Sequence, residues 1–374
     1  MTITRTKDFS AFLSLQDSDY TSILTGVNHK PRAYVEIVDT DSSLTTLSTC
    51  TGFNITIDRD DLMGSFSCNI VKARDWNPRA SDYADLLETD KRKRINIYFA
   101  QNVGGTFDYL KVFTGIMTSK PESYAFGGSD LIGLSGSSLA YLLLKREGTF
   151  SGANLYGPSK ELLQYWLDDA SIEYDLSYED TVFFNDISVN YSNALAGVNA
   201  VRQVVGPNTD CFFDAQGRFI FQDLPQVAWS SDDVEFEYTE SNIISIEKNI
   251  EPSKVTTVVD VTGNSDTATA SAEASADDIT KYGRNRKSIS SGLVTSAAQA
   301  AVLAQDVLDE GQRWINPFSF VVKLNPYITI GSFLTVRDSA LSNTSETQVR
   351  VRKINHSYQA GQGQSTSIEA YVEV

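Results

Sequence analysis

Two stretches of the sequence share one pattern. Residues 113–138 read FTGIMTSKPESYAFGGSDLIGLSGSS, and residues 349–374 read VRVRKINHSYQAGQGQSTSIEAYVEV. Each contains a predicted strand, a tyrosine (Tyr124 or Tyr358), two nearby glycines and a second predicted strand. An internal repeat would give this pattern, and so would a chance similarity between two β-hairpins. If the repeat is real, the chain carries two related β-barrels.

Alternating apolar and polar residues predict several short strands in the first part of the chain. Arg32–Asp39 (RAYVEIVD) alternates throughout, which favours a strand packed on both sides. Many short strands with turn signals and almost no helix indicate a barrel or a sandwich. We therefore predict a first β-barrel domain at residues 30–150, preceded by an N-terminal arm at residues 1–29. The other alternating segments are 53–59, 66–72, 95–100 and 109–117.

The periodicity changes in the middle of the chain. Apolar residues at helical spacing predict one amphipathic helix behind Ser159 and a second that ends at Gly206-Pro207. The segment CFFDAQGRFIF (211–221) predicts an aromatic hairpin with Gly217 in its turn. Residues 151–235 are thus predicted to form a small α+β domain. The helical positions are Leu163, Trp166, Leu167 and Ala170, then Ala194, Val198, Val201 and Val205.

Alternating residues return in the last part of the chain. We predict a second β-barrel domain at residues 236–374, with one helix at 296–313. A capping box at Ser296 and Gln299 indicates the start of this helix, and Gly311 is predicted to end it. An apolar stripe gives its buried face: Ala300, Leu303, Ala304, Val307 and Leu308.

A tract of small residues interrupts the second barrel. Residues 264–278 (NSDTATASAEASADD) contain no large apolar side chain, so we predict a mobile loop that is dispensable for folding. The predicted fold class is therefore mainly β with an α+β insert: two β-barrel domains and a small α+β middle domain.

Composition limits the classes of function. The chain has 374 residues with 31 Lys plus Arg against 48 Asp plus Glu, so its formal net charge is −17. A protein that wraps the outside of DNA needs a basic face, and this balance argues against one. No apolar run approaches the roughly 20 residues of a transmembrane helix. The N-terminal residues lack the apolar stretch of a signal peptide.

Residue types that carry catalysis are sparse and scattered. The only two histidines, His29 and His356, fall in different predicted regions, so a Ser-His-Asp triad is not indicated. Cys50, Cys68 and Cys211 lack the spacing and histidine companions of a zinc site. Cys50 and Cys68 are interpreted as small core residues, with a disulfide as the alternative. We predict no catalytic, cofactor-binding or metal-binding residues and no enzymatic activity.

Four further motifs have structural interpretations. Gly128–Ser135 has the glycines of a phosphate loop without its lysine and is predicted to be a strand and turn. Asp58–Asp61 begins like a calcium loop, but Met63 replaces the glycine, which favours a solvated turn. Asp168-Asp169 is expected by chance among 48 acids. The basic run Lys91–Arg94 is predicted to be a solvated loop rather than a nucleic-acid patch.

The order of parts resembles the tail baseplate hub proteins of contractile-tailed phages and related injection systems. The most specific local match is Tyr282-Gly-Arg284, followed by a helix start at Thr295, Ala297 and Gln299-Ala300-Ala301. Residues 161–175 (ELLQYWLDDASIEYD) and the hairpin at 211–223 (CFFDAQGRFIFQD) also look like the middle region of that family. The resemblance covers residues 30–374.

The resemblance implies a structural role. Hubs of this family are homotrimers whose paired barrels form a pseudo-sixfold ring between a sixfold tail tube and a threefold central spike, and the first barrel would dock on the tube. Implied partners are the tube, spike and other baseplate proteins. DNA would pass through the lumen without sequence-specific binding, in a virion tail assembled in the host cytoplasm and without stable membrane insertion. The net charge of −17 fits an acidic lumen.

Two alternatives remain open at this stage. Another structural tail protein, such as a distal-tail ring, would be a hexamer rather than a trimer. A carbohydrate-active β protein would need paired acids in an aromatic cleft. Oligomeric state separates these functions, and the sequence leaves open whether the tail is contractile.

Overall fold

The computed structural model describes residues 32–372, with several gaps. The predicted N-terminal arm at 1–29 lies outside the described residues, as do His29 and Tyr124. Among the residues described, no helix has the length and apolar composition needed to cross a membrane. The gaps are residues 39–44, 72–92, 104–105, 120–130, 150–156, 180–182, 185–189, 207, 225–234, 240–241, 248–251, 314, 316 and 338–346.

Six antiparallel strands close the first barrel. They are β1 (Arg32–Val38), β2 (Thr45–Asp58), β3 (Ser65–Val71), β4 (Arg94–Val103), β5 (Thr106–Ser119) and β6 (Leu131–Ser138). Hydrogen bonds join them in the ring β1-β4-β5-β6-β3-β2, and β2 pairs again with β1. The inward alternate positions, such as Val35, Ile55 and Ile97, are fully buried in one core. The predicted barrel is confirmed, and Leu131–Ser135 lies in a strand as expected.

A small α+β region follows the first barrel. Its elements are α1 (Ala140–Leu144), β7 (Gly148–Thr149), β8 (Gly157–Pro158), α2 (Ser159–Asp169), β9 (Tyr174–Leu176), β10 (Phe183–Phe184), β11 (Asn190–Tyr191), α3 (Ala194–Val205), β12 (Thr209–Phe213) and β13 (Phe219–Asp223). Both predicted helices form, and Asn193 caps α3 by accepting the Ala196 amide at 2.8 Å. Gly217 has φ +86° in the hairpin turn, which confirms the predicted turn.

The remainder of the chain adds a second ring of strands and a compact lobe. The elements are β14 (Phe236–Thr239), β15 (Ile243–Glu247), a 3₁₀ helix (Pro252–Lys254), β16 (Val258–Thr262), β17 (Thr269–Glu273), α4 (Ala276–Tyr282), β18 (Arg286–Ser290), α5 (Ala297–Arg313), β19 (Pro317–Lys323), β20 (Phe333–Arg337), β21 (Thr347–Gln359) and β22 (Gly363–Val372). Strands β14, β15 and β19–β22 form the second barrel, and the elements from β16 to α5 form what we term the lobe.

The two barrels have the same strand order. The first ring has the successive neighbours β2-β3-β6-β5-β4-β1, and the second has β15-β19-β22-β21-β20-β14. Five neighbour pairings therefore recur, although β1–β4 is antiparallel and β14–β20 is parallel. The stretches 113–138 and 349–374 fall on β5–β6 and β21–β22, which are equivalent in the two rings. The strand order thus supports the internal repeat.

The lobe occupies the place of a tight turn. In the first barrel, β2 connects to β3 through residues 59–64, whereas the equivalent connection from β15 to β19 contains the lobe. In the lobe, β17, β16 and β18 form a sheet that α5 covers with its predicted apolar stripe. The lobe and the α2–α3 region share one hydrophobic core.

The prediction of a mobile loop at residues 264–278 is wrong. The tract contains β17 and the start of α4, and Ala268 is completely buried. Its alternating alanines, Ala270 and Ala272, pack against the core beneath α5. Small side chains suit this position because they allow the helix to approach the sheet closely. The second barrel region also has a second helix, α4, which the sequence analysis missed.

Helix α5 confirms the predicted span with two local differences. The backbone N–H of Gln299 donates to Ser296 Oγ at 3.2 Å, as in a capping box. The Gln299 side-chain oxygen, however, accepts from the backbone N–H of Thr295 at 2.9 Å, whereas in a standard capping box it would accept from that of Ser296. Gly311 does not end the helix, which continues to Arg313. A Cβ at position 311 would lie 2.3 Å from Thr256 Cβ, so the glycine is required for close packing.

Replacing residues 264–278 by a short Gly/Ser linker should destabilise the protein. The replacement removes strand β17 from its pairing with β16 and uncovers the α5 stripe. We expect either insoluble protein or a fall in unfolding free energy of several kcal/mol, measured by urea denaturation, because several buried contacts are lost. A matched Gly/Ser replacement of the exposed residues 360–362 serves as a control. A transition midpoint unchanged from wild type would contradict the structural role of the tract.

Candidate functional site at the junction of the domains

The two barrels share one continuous sheet. Strand β2 of the first barrel pairs antiparallel with β21 of the second, from Gly52 opposite Gln359 to Asp58 opposite Lys353. The Arg59 amide then donates to the Arg352 carbonyl at 3.0 Å. This pairing carries the turn after β2 directly against the second barrel, the lobe and the α+β region.

Arg59, in the turn after β2 of the first barrel, contacts the α+β region, the lobe and the second barrel. Its side chain is only 3% exposed, and its Nε lies 3.1 Å from Asp210 Oδ1 of β12. One terminal nitrogen donates to the Thr209 carbonyl at 2.8 Å, and the other lies 3.0 Å from Glu310 Oε1 in α5. Although burial opposes ionisation, the carboxylates of Glu310 and Asp210 raise the pKa of Arg59.

A second ionic group surrounds the neighbouring residue, Asp60. Arg352 Nε donates to Asp60 Oδ2 at 3.0 Å, and Arg202 from α3 lies 3.7 Å from its other oxygen. Arg202 also donates to the Arg59 carbonyl. Burial acts to raise the pKa of Asp60, but Arg352 and the other arginines outweigh it, so this pKa lies below its usual value. The turn after β2 is therefore a bridge between the barrels and α3.

Asp210 is enclosed from the opposite side by the second barrel. Its side chain is 1% exposed, and burial raises its pKa despite the opposing charges of Arg59 and Arg350. Gly331 has φ +84°, and a Cβ there would lie 2.1 Å from Asp210 Oδ2. Any other residue at position 331 would therefore displace the carboxylate as well as adopt an unfavourable backbone conformation.

The aromatic hairpin fills the space between the barrels. Phe212 and Ile220 on one face belong to the core of the second barrel, whereas Phe213 and Phe219 on the other face belong to the core shared with the lobe. The hairpin turn also meets the first barrel, because Thr114 Oγ1 donates to the Ala215 carbonyl at 2.9 Å. The hairpin thus packs against the first barrel, the second barrel and the lobe.

His356 and the cysteines are buried core residues. His356 lies on β21, 2% exposed, with Nδ1 3.0 Å from Thr366 Oγ1, and burial lowers its pKa to about 4. Cys50, Cys68 and Cys211 are buried with free thiols, so the interpretation as core residues holds in the structure. Burial raises the pKa of Cys211 to about 12, which leaves its thiol protonated and a poor nucleophile.

Two motif interpretations need correction, and one set of residues was missed. The turn at Asp58–Asp61 is not simply solvated, because Arg59 is buried in the ionic cluster. Lys93 of the basic run is completely buried rather than in a solvated loop. Among the described residues, no group of three His, Cys, Asp or Glu side chains could hold a metal ion. Asp210 and Glu310, which are far from Arg59 in the chain, were not among the residues predicted from the sequence.

Comparisons with known proteins identify a shared fold. No family model matches the sequence. No curated protein sequence matches it either. Solved structures do: a 43 kDa tail protein of prophage MuSo2 from Shewanella oneidensis has 14% identity and a TM-score of 0.61, over 91% of this chain and 98% of that one. A tail protein from Neisseria meningitidis has 13% identity and a TM-score of 0.63, over 91% and 97%. The chain has the tail-protein fold.

A third similar structure extends the fold to secretion machinery. A component of the E. coli type VI secretion system, itself similar to T4 tail proteins gp27 and gp5, has 10% identity and a TM-score of 0.53. The match covers 91% of this chain and 77% of that one. The resemblance to tail hub proteins seen in the sequence is thereby confirmed at the level of the fold.

Removing the Arg59 charge should destabilise the junction strongly. Arg59→Met removes the ion-pair partner of the buried Asp210 and the nearer of the two arginines at Glu310, where Arg352 remains at 3.8 Å. Breaking a buried ion pair typically costs about 3–5 kcal/mol. The control is Arg337→Met, because Arg337 pairs with Glu237 at 2.9 Å with both side chains about half exposed. We expect at most about 1 kcal/mol there. Urea unfolding measures both, and equal losses would show that the cluster contributes no more than a surface pair.

His356 should make the fold sensitive to acid. Its folded-state pKa of about 4 lies below its ordinary value, so folding excludes the proton. The contribution of neutral His356 to the free energy of unfolding is complete above about pH 6.5 and is lost as the pH falls through about 4. The total loss is roughly 3 kcal/mol. His356→Gln removes this titration, so the loss of unfolding free energy between pH 7 and pH 4 should shrink by that amount. An unchanged loss would contradict the assignment.

Proposed function

We propose that the protein is a structural baseplate hub of a phage-type tail. In this proposal three copies form a ring that joins a sixfold tail tube to a threefold central spike and encloses part of the DNA conduit. The observation that carries the proposal is the presence of two barrels with one strand order in a single chain, joined through one sheet.

Symmetry gives the physical argument. A tube with six identical subunits at its end presents six equal docking surfaces, and a trimer can match them only if each chain supplies two similar units. The repeated strand order supplies two such units, and the β2–β21 pairing with the Arg59 cluster holds them at a fixed angle. The lobe is present only in the second barrel, so it distinguishes the two units and reduces sixfold symmetry to threefold.

The similar structures support a tail location and tail partners. They comprise tail proteins and a type VI secretion component that is itself similar to T4 gp27 and gp5. We accordingly propose the virion tail baseplate as the location, after assembly in the host cytoplasm, with tube, spike and other baseplate proteins as partners. In this role the protein has no enzymatic activity, cofactor or metal, and it carries DNA without sequence-specific binding.

The native mass of the purified protein tests the proposal. A hub should show three times the 41.2 kDa mass of one chain, and negative-stain images should show a ring with six similar lobes. A hexamer would favour a distal-tail ring instead. A monomer with saturable turnover of polysaccharide, abolished by one carboxylate substitution, would favour a carbohydrate-active protein and overturn the hub proposal.

A further inference from the structure

One face of the shared sheet has an unusual composition. Strands β6, β3, β2, β21 and β22 are consecutive neighbours and cross from one barrel to the other. Cross-strand pairing aligns one residue of each in a row: Ser135, Ser67, Asn54, Ser357 and Ser365. All five point away from the barrel cores, since their chain neighbours, such as Phe53, Phe66 and Tyr358, are buried.

A second row repeats this chemistry. Ser65, Thr56, Asn355 and Ser367 are paired across four of these strands. The Asn355 side chain donates to Thr56 Oγ1 at 3.4 Å. We term these nine residues of the two rows the neutral face, because all of them carry hydroxyl or amide groups and none is charged.

The next row of outward residues is charged. There, Asp58, Lys353 and Glu369 are paired across β2, β21 and β22, and Lys353 Nζ lies 3.2 Å from Asp58. Charged residues make up 21% of the chain, and outward strand positions are where they ordinarily lie. The nine uncharged outward positions therefore form a continuous surface without charge across five strands and both barrels.

Part of the neutral face lies in the wall of an open groove. The groove has a volume of about 370 Å³, and Asn54, Ser67 and Ser357 of the first row lie in its wall. Each of these three side chains is exposed. The face therefore presents small polar groups to any molecule that passes it.

We propose that the neutral face lines the path of double-stranded DNA through the ring, an inference that rests on the proposed hub function. Lysine or arginine on such a wall would bind phosphates and release counterions, which would hold the DNA in place. Dense carboxylates would set an electrostatic barrier against it. Hydroxyl and amide groups do neither. This proposal replaces the acidic lumen expected from net charge with a neutral one.

Protein docking is a poorer explanation of the same surface. The cores of protein interfaces are enriched in aromatic residues, methionine and arginine, and they are depleted in serine. The neutral face has six serines and no outward aromatic side chain. It offers little apolar area to bury, so it provides little of the free energy that a stable contact requires.

Adding positive charge to this face in assembled virions tests the proposal. The variant carries Asn54→Lys, Ser67→Lys and Ser357→Lys, which places nine new cations in a trimeric ring. Virions should form at wild-type yield but release DNA at least tenfold more slowly in about 50 mM salt, with recovery toward the wild-type rate in about 200 mM salt. Release is followed by the fluorescence of a DNA-binding dye after triggering in vitro.

Two matched variants isolate the effect of charge at this place. Asn54→Gln with Ser67→Thr and Ser357→Thr keeps the face neutral and should release DNA at the wild-type rate. Thr269→Lys with Ala298→Lys and Ala301→Lys adds the same charge at exposed positions of the lobe and should also leave the rate unchanged.

Three results would overturn the inference in distinguishable ways. Wild-type release by the lysine variant would remove the face from the DNA path. A folded lysine variant that no longer forms rings or joins virions would identify the face as a protein interface. Equal slowing by the lobe variant would attribute the effect to total charge. A wild-type protein that is not trimeric would instead contradict the proposed hub function itself.

Discussion

The backbone pairing of β2 with β21 is the interaction on which the arrangement of the molecule depends. Seven residue pairs, from Gly52–Gln359 to Asp58–Lys353, turn two barrels into one continuous sheet. A side-chain interface would permit the barrels to rock, but a hydrogen-bonded ladder fixes both their spacing and their twist. The peptide groups that point across this pairing would also lose their partners if the barrels separated.

The ionic cluster depends on that ladder. Because β2 ends against β21, the Arg59 side chain lies in a largely buried site, where carboxylates from other parts of the chain compensate its charge. Asp210 and Glu310 supply them from the α+β region and from the lobe. Buried ion pairs contribute little net stability compared with apolar packing, but they penalise every arrangement in which a partner is missing. The cluster therefore specifies how the parts are assembled more than how firmly they hold.

The sequence predicted the elements whose pattern is local. Helix α5 and the aromatic hairpin were identified because their apolar spacing and turn residues lie within short segments. The tract at 264–278 was misassigned because its burial depends on an overlying helix that allows only small side chains. The ionic cluster could not be predicted, since Arg59 is 251 residues from Glu310 and 150 from Thr209. No local pattern distinguishes a buried arginine of this kind from a solvated one.

Strand β14 runs in the opposite direction to its equivalent in the first barrel, β1, and this difference gives the two barrels different mechanical properties. The first barrel is hydrogen-bonded around its whole circumference. In the second barrel, the two end strands, β14 and β15, are consecutive in the chain and run in the same direction. Among the described residues, no backbone ladder joins these two strands. The second barrel can open locally at this seam, so the backbone amides of β14 and β15 should exchange with solvent before those of β1 and β2. The molecule thus contains one closed barrel and one open barrel, and mechanical strain on the second barrel will concentrate at the seam between β14 and β15.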